Sequence, residues 1–143
     1  MDDGRGTLES EATSFLLLVA GLFFSVEGVL HYVDFFVTSN AKNSVSIVLT
    51  LGSAAIALLY FALAYSCWRN PRDTGFFAFA LILSSILSAS YFILVIVESL
   101  GSKFYFSASV SYFEFLSGYG SVTIFVELLI AFFSFRVYRT LSK

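Results

Sequence analysis

Charge is scarce in this chain. Asp, Glu, Lys and Arg make up 13% of its 143 residues, whereas a soluble domain usually carries roughly a quarter. The net charge of −2 is small and the basic residues are few and scattered, which leaves no basic patch for nucleic acid. Cys67 is the single cysteine, so no internal disulfide forms. Beside Trp68 it reads first as a small apolar side chain. His31 is the single histidine. One chain therefore cannot supply two axial haem ligands, nor the several nitrogen and sulfur donors that zinc or copper usually takes. The motifs of ordinary catalysis are lacking too. There is no phosphate-binding loop, no His-Glu-x-x-His and no Ser–His–Asp set in a supporting motif, so the chain is not read as an enzyme.

What fills the space left by charge is apolar sequence. Hydrophobic residues make up 58% of the chain, and they collect into long runs. A spanning helix needs roughly 20 mostly apolar residues. Four segments meet that test, at approximately 14–37, 44–68, 76–97 and 117–138. The fold expected is all-α: a polytopic integral membrane protein, an antiparallel four-helix transmembrane bundle in which residues 1–143 form one membrane domain. A secretory signal is the competing reading of the first run. It would need a basic start and a short apolar core. The start is acidic instead, with Asp2, Asp3, Glu9 and Glu11 against Arg5, and the run is long, so a span is expected.

Orientation follows Lys and Arg. Four spans put Arg5, Arg69, Arg72, Arg136, Arg139 and Lys143 on one side and only Lys42 and Lys103 on the other. Both termini are therefore expected in the cytoplasm. The connections are short after the first and second spans, which makes neighbouring helices antiparallel. Pro71 stops the second helix, and Asp73 or Thr74 is positioned to cap the third. The last connection, residues 98–116, is aromatic and alternating, from Phe104-Tyr105-Phe106 to Phe113 and Phe115. It reads as an interfacial segment on the outer face, with a helical lead-in to the fourth span and a bend at Gly118 and Gly120. A membrane-anchoring aromatic belt is the plainer account of it, and a partner-binding surface the sharper one.

The first run also carries Glu27, His31 and Asp34, spaced to share one side of a helix. Ionisable groups at such depth are expensive. Glu127, near the middle of the fourth span, is expected at a depth similar to Glu27. Thr50, Ser53, Ser84, Ser88 and Tyr91 on the second and third spans supply a matching polar layer, since polar atoms in hydrocarbon must face inward and find partners. The inner half offers less: Tyr60, Ser66 and Ser134.

Three readings of this layer compete. In the first the cluster is structural: neutral Glu27 donates to a serine, to His31 or to Glu127 and fixes the register of the bundle. The chain is then a structural or accessory subunit that packs against other membrane subunits or copies of itself in the lipid bilayer. The second uses Glu27, His31, Asp34 and Glu127 as a proton or cation path, because imidazole titrates near neutral pH and carboxylates accept protons. The third is a metal, haem or quinone site. Its ligands would be His31, Glu27 and Asp34, but the Glu-x-x-x-His spacing departs from the Glu-x-x-His of dimetal bundles.

Overall fold

The computed structural model describes residues 3–33, 44–99 and 110–143. They form four helices: α1 (Asp3–Val33), α2 (Ser44–Arg69), α3 (Thr74–Ser99) and α4 (Val110–Leu141). Each contains a stretch long and apolar enough to cross a membrane, at Leu8–Leu30, Thr50–Arg69, Thr74–Ile93 and Ser121–Leu141. The chain is a multi-pass, all-helical antiparallel bundle.

Two hairpins make up the bundle. α1 packs along α2, and α3 packs along α4. The hairpins meet chiefly through α1 and α4, whereas α2 and α3 touch only sparsely although a short turn joins them. That turn stops and restarts the helix within a few residues. The amide of Asn70 closes α2 on the Ser66 carbonyl at 2.9 Å, and Asp73 N–H bonds the Asn70 carbonyl at 3.1 Å. Asp73 then caps α3, its Oδ1 accepting from Gly75 N–H at 2.9 Å. A carboxylate there satisfies one of the orphan donors of a helix start.

α1 begins at Asp3, well before the Ser14 boundary expected from hydropathy. Ser10 and Thr13 consequently lie buried in the bundle. A helix carries polar residues into an interior when neighbouring groups satisfy them. Thr13 returns its hydroxyl to the Glu9 carbonyl at 2.8 Å, and Ser14 donates to the Ala64 carbonyl of α2 at 2.8 Å. α4 is helical throughout, including Gly118 and Gly120. A glycine costs a helix about 1 kcal/mol, less than an unpaired backbone group costs in hydrocarbon. Residues 100–109 of the aromatic connection lie outside the described residues; 110–116 are the first turns of α4.

The buried positions recur at three- and four-residue steps: Ser10, Thr13, Leu17, Ala20, Phe24 and Glu27 on α1, and Thr123, Glu127, Ile130, Ser134 and Val137 on α4. This is the stripe of a bundle-facing helix. Within the first hairpin, Gly21 makes room for an aromatic ring. A Cβ at Gly21 would stand 2.8 Å from Cε1 of Phe61, whose ring lies against it.

Candidate functional site in the bundle interior

Both buried glutamates are held by a tyrosine from the opposite hairpin. Tyr60 of α2 donates its hydroxyl to Glu127 Oε2 of α4 at 2.5 Å. Tyr91 of α3 donates to Glu27 Oε2 of α1. Phe24 fills the space between the two pairs. Its ring stacks on Tyr60 with centroids 5.7 Å apart and meets Tyr91 edge-on at 6.1 Å. Tyrosine suits this task because its ring is apolar along its length and its hydroxyl reaches a partner at the far end. Each bond crosses from one hairpin to the other where the backbones do not pack closely.

The two glutamates stand at different depths. Arg136 Nη2 of α4 meets Glu9 Oε1 of α1 at 2.8 Å, which fixes the register of these antiparallel helices. Counting from that pair, Glu27 lies about 13 Å farther along the axis than Glu127, at 1.5 Å of rise per residue. Similar depth follows from a first span starting at Ser14; α1 starts earlier, and among the described residues its apolar stretch is Leu8–Leu30, which puts Glu27 near one end. Arg136 also lies 5.8 Å from the Phe132 ring centroid, so its charge has a carboxylate on one side and an aromatic face on the other.

Ser53, Ser84 and Ser88 are buried and Thr50 is half-buried. Ser84 bonds the Ala80 carbonyl at 2.6 Å, and Ser88 the Ser85 carbonyl at 3.1 Å. These hydroxyls are satisfied within α3 itself, a common solution for serine in a membrane helix. Tyr91 reaches out of that layer to Glu27. Of the remaining candidates, His31 is described only as part of the α1 backbone, and Asp34 lies outside the described residues. Among the described residues, no group of three or more His, Cys, Asp or Glu side chains converges as a metal site requires.

Among the described residues, two buried side-chain atoms have no hydrogen-bond partner: Glu127 Oε1 and Ser134 Oγ. Both residues are wholly buried. The half of the bundle nearer the chain termini is also more polar than the sequence suggests, because Ser10 and Thr13 join Ser134 there. Tyr60 is the principal residue that sequence reasoning undervalued. Its signal was available: Ser53, Ala57, Tyr60, Ala64 and Cys67 share the buried stripe of α2, and small neighbours make room for one large ring.

Comparison with known protein families, with curated proteins and with solved structures finds no match to this chain. Its chemistry is therefore read from its own residues.

Proposed function

We propose that this protein is an accessory subunit of a membrane complex, or of a homo-oligomer, that works through its outer surface. The observation that carries this reading is the pairing of each buried glutamate with a tyrosine of the opposite hairpin. Carboxyls tied in this way serve to align helices. Hydrogen bonds between membrane helices contribute on the order of 1 kcal/mol each, and they also exclude registers that would leave a polar atom alone.

The outer surface supports the same reading. Between 28% and 39% of the most apolar stretch of each helix is buried, and the remainder is half-buried or exposed. Phe15, Leu22, Leu58, Ile82, Ile86 and Phe125 are among the exposed large apolar side chains. Such a surface suits lipid and partner helices alike. The Lys and Arg distribution gives the orientation we adopt, with both termini in the cytoplasm. Gentle detergent extraction followed by sizing tests the proposal. A particle well above the monomer mass of 15.8 kDa plus its detergent is expected; recovery as a monomer across several mild detergents would refute it.

A further inference from the structure

We propose that the bundle holds an internal water site at Glu127, reached from the Arg136 end past Ser134. Buried carboxyl and hydroxyl oxygens almost always have a partner, and Glu127 Oε1 and Ser134 Oγ have none among the described residues. Ser134 is the telling residue. Other hydroxyls of the interior bond a carbonyl one turn back, as Ser84 does to Ala80 at 2.6 Å and Thr13 to Glu9 at 2.8 Å. Ser134 does not, although it is wholly buried, so its hydroxyl is free to serve a ligand inside the bundle. Water is the ligand whose chemistry fits. It donates to Glu127 Oε1, and it both donates to and accepts from a serine hydroxyl.

The two atoms belong to one stripe of α4, two turns or about 10 Å apart. That distance calls for a short chain of waters. Leu17 and Ile130 are buried between the two levels, and the neighbouring helices present Ala64 and Ala80 there. Beyond Ser134, toward the ends of α1 and α4 that carry the termini, stands the Arg136–Glu9 pair, with the Arg136 side chain 53% exposed. Above Glu127, Phe24 stacks over Tyr60 and closes the route with an apolar ring. The site therefore communicates with water from one side only, and it gives Glu127 a supply of exchangeable protons from that side.

Water-to-protein magnetisation transfer on the full chain in phosphatidylcholine vesicles tests this directly. Transfer to the Glu127 carboxyl carbon is expected to run several-fold faster than to the Phe24 ring, on the closed side, and Ser134→Ala is expected to slow it by at least half. Ser85→Ala, on the exposed face of α3 with its hydroxyl bonded to Leu81 at 2.6 Å, serves as the control and should change nothing. Transfer to Glu127 as slow as to Phe24 would overturn the water site. Fast transfer unaffected by Ser134→Ala would overturn the route.

Discussion

At the scale of single residues, the bundle shows how a carboxyl is made tolerable in hydrocarbon. Glu127 accepts from Tyr60, which is itself wholly buried. Removing that hydroxyl leaves the remaining carboxyl oxygen without its donor, and an unsatisfied buried group costs about 1–3 kcal/mol. Tyr60→Phe is therefore expected to destabilise the folded bundle by about 1–3 kcal/mol in a detergent-denaturation titration, with helix content retained. Tyr91→Phe acts on Glu27 by the same logic. Glu27 is nearer the end of its span, where water is closer, so its loss should be the smaller of the two. An equal or larger loss at Tyr91 would show that depth does not set the cost. The Glu9–Arg136 pair belongs to a different class. Arg136 is half-exposed, and such ion pairs contribute about 0.2–1 kcal/mol. Glu9→Gln should lower stability by no more than that, and added salt should erase much of the difference from the parent protein.

At the scale of elements, the helices turn their small and polar residues inward together with a few large ones such as Leu17, Phe24, Tyr60 and Phe77, and leave many large apolar residues outward. This inverts the reading used for soluble helices, and it explains what the sequence made legible. Run length and the short turn at Arg69–Gly75 sufficed for the four helices, because a membrane demands apolar continuity. Sidedness was harder, since Leu and Phe occur on both faces of these helices. The buried stripe is marked instead by Ser10, Thr13, Glu27, Ser53, Ser84, Ser88, Glu127 and Ser134. Ser10 and Thr13 are not legible as interior positions, because polar residues before an apolar run read as a tail. The Tyr60–Glu127 partnership was invisible for another reason: it depends on which helices face each other, and hydropathy carries no information on helix order. The hairpin α1–α2 also has its own constraint. Gly21→Leu would drive a side chain into the Phe61 ring, 2.8 Å from the position of a Cβ. Overpacking of this kind costs about 1–3 kcal/mol. The expected result is faster hydrogen exchange confined mainly to α1 and α2, while α3 and α4 keep their protection. Loss of protection in all four helices together would instead mean that the bundle opens as one unit.

At the scale of the whole molecule, the protein is two closely packed hairpins joined by a thinner seam. Backbone contact across the seam is concentrated between α1 and α4. Tyr60–Glu127, Tyr91–Glu27 and Glu9–Arg136 cross it at three levels. Phe24 packs between the two tyrosines. The seam is thus specified by side chains more than by helix-on-helix packing, and its alignment rests on the buried carboxyls pointing inward.

A double-mutant cycle on Tyr60→Phe and Glu127→Gln tests that alignment most directly, with unfolding measured for both single variants and the double variant in the same lipid–detergent mixture. Residues in direct contact show interaction energies of about 0.5–3 kcal/mol. The pairing seen here calls for a coupling in that range, with the double variant less destabilised than the two single variants summed. Additivity within about 0.3 kcal/mol would mean that Tyr60 and Glu127 do not hold each other, and that the hairpins are joined in some other way.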